Sequence, residues 1–497
     1  MRTVAELTRW WARRRPELPA TWFEGRTRSW AELDESSTKL ASGLISKLGV
    51  KPGDHVAILD KNSDAYLELM FALDKAGAIA TPVNWRLTGP EVAKVVGDAE
   101  AQAIVVGDAF RSQADAAGVR VVGFDELPRD GGPDPHLDDE SRVSWQLYTS
   151  GTTGLPKGAM ISGRNLLGGT CTVFSIEVPE SRVGGRSLVA MPLYHIGGCG
   201  WALASMFMGS CAVVMSEFIP QQVLDVVERE KVETAFLVPA ALLFLTSIPE
   251  SQGRDYSALR NILYGASPIS QAVLERSIQT FGCRFTQVYG LTETTGAITF
   301  LQHEDHTGER LLSCGRATFG ADMKVVDPSG VEVPQGEIGE IVYRGPGVMQ
   351  GYWNRAKDSA DSIKDGWFYT GDAGTEDEGG FFYVKDRIKD MIISGGENIY
   401  PAEIESVLAG HPAVADVAVI GVPDETWGER VKAIIVRKPG AAATGEEIVE
   451  WSRDHLAGYK RPSSVDFAEA IPRNPSGKIL KRELREPYWA ETGRQVN

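Results

Sequence analysis

Cysteine is scarce in this chain. Its 497 residues hold five, Cys171, Cys199, Cys211, Cys283 and Cys314, odd in number, well separated and without a C-x-x-C pair. That pattern argues against a disulfide framework or a zinc site and favours a reducing compartment. Basic charge is also in deficit: 51 Lys and Arg stand against 67 Asp and Glu, for a net charge of −16. A nucleic-acid coat needs the opposite balance to neutralise phosphates, so no nucleic-acid partner is expected. No stretch approaches the roughly 18 consecutive apolar residues of a spanning helix, so no integral membrane segment is expected. The first residues, MRTVAELTRWWARRRPELP, carry Glu6, Arg9 and Arg13 to Arg15 where a signal peptide needs its apolar run. They read as a packed first helix with a solvated basic face, and the expected location is the cytoplasm. Two catalytic signatures are missing as well. Gly265-Ala266-Ser267 continues Pro-Ile rather than x-Gly, which disfavours a nucleophile-elbow hydrolase. Gly198-Cys199-Gly200 continues Trp-Ala-Leu without a third glycine, which disfavours a dinucleotide-binding dehydrogenase.

What is present is average globular composition, 43% apolar and 24% charged, in a length that suits two to four domains. Helix-like and strand-like segments alternate. Helical spacing runs over 31–48 and 65–76, and short buried strands are expected within 53–59, 79–83, 103–106 and 189–191. Alternation of this kind predicts βαβ units and mostly parallel sheets. From about residue 324 to 383 the chain is rich in Gly, Asp and Pro with short alternating runs, which predicts a small antiparallel β unit. Beyond Arg387, helices over 402–408 and 446–455 and strands over 414–420 and 433–436 predict a compact α+β terminal domain. Its tail is locally basic: 460–485 holds seven cations against three acids.

The strongest local signal is Tyr148-Thr149-Ser150-Gly151-Thr152-Thr153-Gly154-Leu155-Pro156-Lys157-Gly158. Glycine allows close backbone approach, hydroxyls and amides donate to oxyanions, and lysine adds charge, which is what a polyphosphate cradle requires. Pro156 and Gly158 flank Lys157 where a Walker A loop has Gly and Ser/Thr, so this is a different phosphate loop.

At this point the chain resembles the adenylate-forming enzymes: acyl- and aryl-CoA synthetases, peptide-synthetase adenylation domains and beetle luciferases. It is most similar to the bacterial stand-alone acyl-CoA synthetases. The resemblance rests on residues 148–158 together with Gly265-Ala266-Ser267-Pro268, Tyr289-Gly290-Leu291-Thr292-Glu293, Tyr369-Thr370-Gly371-Asp372, Asp386-Arg387-Ile388-Lys389-Asp390 and Pro472-Arg473-Asn474-Pro475-Ser476-Gly477-Lys478. These stand in the family's order and cover essentially the whole chain.

The resemblance implies an α/β fold: a large N-terminal domain of two parallel-rich α/β subdomains plus a small β unit (1–386), a hinge (387–389), and a small mobile α+β C-terminal domain (390–497). It implies ATP, Mg²⁺ and coenzyme A as cofactors or cosubstrates. Thr149, Ser150, Gly151, Thr152, Thr153, Gly154 and Lys157 would hold phosphates, with Thr149 and Glu293 as metal positions and Thr292 on the α-phosphate. Gly265, Ala266, Ser267, Tyr289 and Gly290 would flank adenine. Asp372 and Arg387 would bind ribose. Lys478 would be the catalytic ammonium of the adenylation step, and Lys389 the hinge. Gly395 and Gly396, in Gly395-Gly396-Glu397-Asn398, would leave room for a pantetheine arm. Asn398 stands where some relatives carry Arg.

For the acid, Pro192 to Gly198 and Phe236 to Leu245 resemble the walls of the family's acyl pocket, and His195 would border the reacting carboxylate. The expected activity is ATP-dependent carboxylate:CoA ligation of a small-molecule carboxylic acid, with a homodimer compatible with it. Transfer to an amine, as in an amide bond synthetase, or to a carrier-protein thiol uses the same adenylation apparatus. An inactive nucleotide-binding scaffold would be expected to lose Lys478, Glu293 or Asp372, and all three are present.

Overall fold

The computed structural model describes residues 1–129, 132, 134–135, 137–149, 156–473 and 479–490. It divides into two compact units, one of residues 1–322 and 343–368, the other of 323–342 and 369–497.

The first unit is built on two sheets with parallel centres. Runs such as His55–Leu59 (HVAIL), Ala103–Val106 (AIVV), Cys211–Val214 (CAVV) and Thr234–Leu237 (TAFL) are buried at every position. Continuous burial without alternation is what strands covered on both faces require, and it selects parallel pairing under helices. The nine-stranded sheet places Pro19–Phe23, Cys211–Val214, Arg186–Val189, Thr234–Leu237, Asn261–Gly265 and Arg284–Leu291 side by side in parallel. Antiparallel strands close its edges. In the seven-stranded sheet, Val143–Thr149, Ile79–Pro82, His55–Leu59, Ala103–Val106 and Arg120–Gly123 run parallel. Lys157–Ser162 and Gly351–Tyr352 then add antiparallel strands on the Val143–Thr149 side. The two parallel-rich sheets match the expected subdomains.

Helix boundaries follow local chemistry. The helix Trp30–Leu48 opens on a Ser29–Glu32 capping box and closes on Gly49 in the left-handed region. Asp64–Ala76 opens on Ser63 and closes on Gly77 in the same way. One expected strand is displaced: the element is Arg186–Val189, which shares only Val189 with the expected 189–191. The Met191 carbonyl is taken by the Asn62 side-chain amide at 2.9 Å, and Pro192 has no N–H, so the ladder ends after Val189. The helix expected over 446–455 is Gly445–Ser452, capped by Thr444 and Glu447.

The second unit holds a small antiparallel β element and an α+β element. In the former, Trp367–Glu376 pairs with Phe382–Arg387. In the latter, Val414–Asp424 and Gly428–Arg437 form the central hairpin, joined by Ile392–Ser394 and, in parallel, by Ser464–Phe467. Ile399, Ile404, Leu408, Val419, Ala433 and Ile435 form its core.

Some buried polar groups are paired, and others are shifted by burial. Lys75, with its side chain fully buried, donates to Asp34 Oδ1 at 2.6 Å and to Ser37 and Thr38. Burial pushes the thiols of Cys211 and Cys283 up to about 12, and those of Cys171 and Cys199 further.

His55 is 3% exposed, with its ring centroid 4.4 Å from that of Trp353. Burial pulls its imidazole from the usual 6.5 down to about 4. The unfolded chain therefore binds a proton that the native protein refuses between those values. Stability from this group is complete above pH 6.5 and is lost as pH falls toward 4. Across that window the wild type is expected to lose about 3 kcal/mol more stability than His55→Gln. Urea unfolding at several pH values measures the difference.

Candidate nucleotide and acyl site

The strands on either side of the expected phosphate loop form an antiparallel hairpin. Strands Val143–Thr149 and Lys157–Ser162 pair so that Thr149 lies directly opposite Lys157 and Leu147 opposite Ala159. Directly opposed residues share a face, so the Thr149 hydroxyl and the Lys157 ammonium emerge on the same side of the sheet. Ser150, Gly151, Thr152, Thr153 and Gly154 lie outside the described residues, as does Lys478. Lys157 Nζ is 2.7 Å from Asp358 Oδ1 and 5.2 Å from the centre of the Tyr352 ring.

Glu293 sits in a one-turn 3₁₀ segment, Thr292–Thr294, that follows the strand Arg284–Leu291. Buried threonines hold this turn. Thr294 Oγ1 accepts from the Leu291 amide at 3.0 Å, Thr295 Oγ1 donates to the Gly347 carbonyl at 2.6 Å, and Thr170 Oγ1 donates to the Thr295 carbonyl at 2.5 Å. Thr295, a β-branched residue, is held at φ 55°, a strained conformation that the surrounding bonds enforce. Thr294 and Thr295 are fully buried, while Thr292 and Glu293 remain partly exposed. The Tyr352 hydroxyl donates to Glu293 Oε1 at 2.8 Å. Burial first, and then the Glu293 carboxylate, push the Tyr352 phenol well above its usual value, so it stays a donor.

Gly265 and Val288 pair at the carboxyl ends of neighbouring parallel strands. The Gly265-Ala266-Ser267 turn therefore leaves the sheet beside Tyr289 and Gly290, which stay in their strand and pair with Gly296–Leu301, at the carboxyl strand ends where ligands of open α/β sheets bind. Ala266 adopts φ 71° and is exposed. A Cβ on Gly265 would strike the Val288 carbonyl, and one on Gly290 the Gly296 carbonyl. His195 caps the helix Ile196–Phe207, its carbonyl accepting from the Gly198 and Cys199 amides at 2.9 and 3.0 Å. Its ring centroid is 4.5 Å from that of Tyr194. A Cβ on Gly197 would lie 3.1 Å from the Phe236 ring, so the two expected acyl-wall segments meet there.

In the second unit, Asp372 and Arg387 face each other across the hairpin Trp367–Glu376/Phe382–Arg387. Arg387 Nε is 2.8 Å from Asp372 Oδ1, and its Nη1 donates to the Thr370 carbonyl at 3.0 Å. Asp372 is 3% exposed. Gly371, at φ 72°, donates its amide to Glu340 Oε1 at 2.8 Å. Lys389 is exposed in the turn Ile388–Asp390, whose Lys389 and Asp390 carbonyls accept from Arg485. Gly395 and Gly396, at φ 60° and 86°, turn the hairpin Ile392–Ser394/Glu397–Ile399, and the Trp427 indole lies against Gly395.

Glu293 and Thr149, the expected metal positions, offer oxygen donors. Among the described residues no group of three or more His, Cys, Asp or Glu could hold a metal by itself. Magnesium, which prefers oxygen and usually binds one or two carboxylates plus substrate phosphates, fits Glu293 and Thr149. Sequence reading missed Tyr352 and Asp358. A glycine-tyrosine pair followed by Trp353 carries no motif, and only strand pairing brings it to Glu293.

Because the Gly290 contact is with backbone, Gly290→Ala is expected to destabilise the protein by about 1–3 kcal/mol. It should also weaken ATP binding, as read by urea unfolding and by calorimetric titration.

The chain matches the AMP-binding enzyme family over residues 8–353 and the AMP-binding enzyme C-terminal domain over 403–478. It is 42% identical to a feruloyl-CoA synthase of an Amycolatopsis species, over 96% of this chain and 97% of that protein. It is 38% identical to a fatty acid–[acyl-carrier-protein] ligase of Streptomyces coeruleorubidus, over 100% and 98%. Its structure resembles that of o-succinylbenzoate CoA synthetase from Bacillus subtilis in complex with ATP and magnesium ion. There the TM-score is 0.88 and the identity 32%, over 96% of this chain and 98% of that one. The chain belongs to the AMP-binding, adenylate-forming enzymes.

Proposed function

We propose that the protein is an AMP-forming acid–thiol ligase that joins a small carboxylic acid to coenzyme A. The observation that carries this reading is the hairpin mouth in which Thr149 and Lys157 share a face and Tyr352 links Lys157 to Glu293. The carboxylate oxygen attacks the α-phosphorus of ATP. An O–P bond forms, the bond to the β-phosphate breaks, and pyrophosphate leaves with the electron pair. The thiol of CoA then attacks the acyl carbon, a C–S bond forms, AMP leaves, and the thiol proton passes to solvent.

Each residue has a task in this reading. Lys157 and the loop after Thr149 hold phosphates, and Thr292 contacts the α-phosphate. Gly265 to Ser267, Tyr289 and Gly290 flank adenine, while Asp372 accepts from the ribose hydroxyls beside Arg387. Glu293 and Thr149 would hold Mg²⁺, which neutralises the phosphate charge when bound. His195 borders the acid carboxylate, and Lys478 stabilises charge developing at phosphorus. The second half-reaction uses Gly395 and Gly396, reached by motion of 390–497 about Lys389, with 1–386 as the adenylating domain. The proposed location is the cytoplasm, where ATP and coenzyme A are available; separately, no described helix is long and apolar enough to cross a membrane.

The similarity to an acyl-carrier-protein ligase favours a second acceptor, a carrier-protein thiol, on the same adenylation chemistry. Incubation with ATP, Mg²⁺ and a panel of acids, with CoA or with a phosphopantetheinylated carrier, distinguishes the two by the mass of the product.

Lys478→Ala is expected to abolish acid-dependent pyrophosphate release while retaining thioester formation from supplied acyl-adenylate. Equal loss of both half-reactions counts against the assignment. Lys389→Pro is expected to slow thioester formation at least tenfold and to leave adenylation largely intact. Single-turnover measurement of each step separates these effects, and an unchanged second step refutes the hinge role.

A further inference from the structure

One segment, residues 351–358, meets the hairpin directly at Lys157, Gly158 and Ala159 and reaches Tyr148 through Asp98. Its strand Gly351–Tyr352 pairs with Lys157–Ser162, Tyr352 standing opposite Ala159. The Trp353 amide donates to the Gly158 carbonyl at 2.8 Å. Arg355 pairs with Asp98, whose other oxygen accepts from the Tyr148 hydroxyl at 2.8 Å. Asp358 takes the Lys157 ammonium. Tyr148 and Lys157 mark the two legs of the hairpin, so the segment clasps both.

Tyr352 is the centre of the clasp. Its ring is 8% exposed and packs with Ala159, Met349 and Phe368. The Ser359 hydroxyl accepts from its amide at 2.8 Å. Its hydroxyl is thereby held in one place, 2.8 Å from Glu293 Oε1. On the other side of Glu293, the Met349 amide donates to the Glu293 carbonyl at 2.9 Å, so backbone and side chain are both fixed from one strand region. A carboxylate has two oxygens, and one donor on Oε1 orients the plane of the group while leaving Oε2 its lone pairs.

We infer that Tyr352 is a positioning residue: its hydroxyl fixes the Glu293 carboxylate in the orientation that receives the metal–ATP complex. The inference rests on the reading of Glu293 as a metal position. Partners that orient a ligating carboxylate commonly affect metal affinity by 10–100-fold. Lys157 over the face of the same ring couples the phosphate-binding ammonium to this device, because a shift of the ring moves both.

Tyr352→Phe removes the hydroxyl and keeps the ring. Expected for this variant is an unchanged thermal midpoint within a few degrees. Mn²⁺ should bind its complex with a non-hydrolysable ATP analogue about tenfold more weakly, measured by electron paramagnetic resonance. The Mg²⁺ concentration for half-maximal pyrophosphate release should rise by a similar factor, and thioester formation from supplied acyl-adenylate should stay at the wild-type rate. Glu293→Gln should weaken Mn²⁺ at least as much, and Tyr352→Phe added to it should cost nothing further.

If Tyr352→Phe keeps Mn²⁺ affinity within twofold while Glu293→Gln loses it, the positioning role is overturned and the metal assignment stands. If Glu293→Gln leaves Mn²⁺ affinity intact, both fall. Additive losses, or equal slowing of the two half-reactions, reduce Tyr352 to a packing residue and overturn the inference. Should Tyr352→Phe fail to fold, Glu293→Asp provides the test, since it withdraws the carboxylate by one methylene with the ring in place. Its Mn²⁺ affinity should also fall about tenfold, and wild-type affinity would overturn the proposal.

Discussion

The register of one antiparallel hairpin fixes which side chains share a face in the first unit. The parallel part of the seven-stranded sheet ends at Val143–Thr149, and the chain reverses into Lys157–Ser162 with Thr149 opposite Lys157. A slip of one residue would turn the hydroxyl and the ammonium to opposite faces. The next strand repeats the logic: Tyr352 lies opposite Ala159, two residues from Lys157 and on its face. Ala159 is fully buried and small, and the ring occupies the space beside it. The ammonium–ring distance and the bond to Glu293 both descend from that register.

The turn that bears Glu293 shows how buried hydroxyls can make an exposed one useful. In Thr292-Glu293-Thr294-Thr295 the last two residues are consumed by backbone partners in the interior, and the first two are left facing outward. The left-handed conformation of Thr295 costs on the order of 1–3 kcal/mol, and the hydrogen bonds to Gly347 and Thr170 maintain it. Such strain belongs where geometry matters more than stability. In the second unit, Asp372 and Arg387 reach the same end differently, as directly paired residues of two adjacent strands.

Much of this was readable in the sequence because it is local. Unbroken apolar runs such as HVAIL and CAVV announce strands covered on both faces, and serine or threonine caps with glycine stops bound the helices between them. Motif residues singled out Thr149, Lys157, Glu293, Asp372 and Arg387 as candidates, while the pairing of Asp372 with Arg387 came only with the fold. What was not readable depends on partners far away in the chain. The strand at Arg186–Val189 stops early because Asn62 takes the Met191 carbonyl, a contact across 129 positions. Tyr352 meets Glu293 across 59 positions and Lys157 meets Asp358 across 201, and neither pair has a signature in its own neighbourhood.

The scarcity of cysteine acquires a meaning beside the thiol chemistry of the second half-reaction. Cys171, Cys199 and Cys211 are buried, and burial keeps these thiols and that of Cys283 in the protonated, poorly nucleophilic form. An enzyme that releases an activated acyl group in the presence of a free thiol thus keeps four of its five cysteines, Cys314 included, in its interior. The same concealment shields those four thiols from mixed disulfides with the cosubstrate.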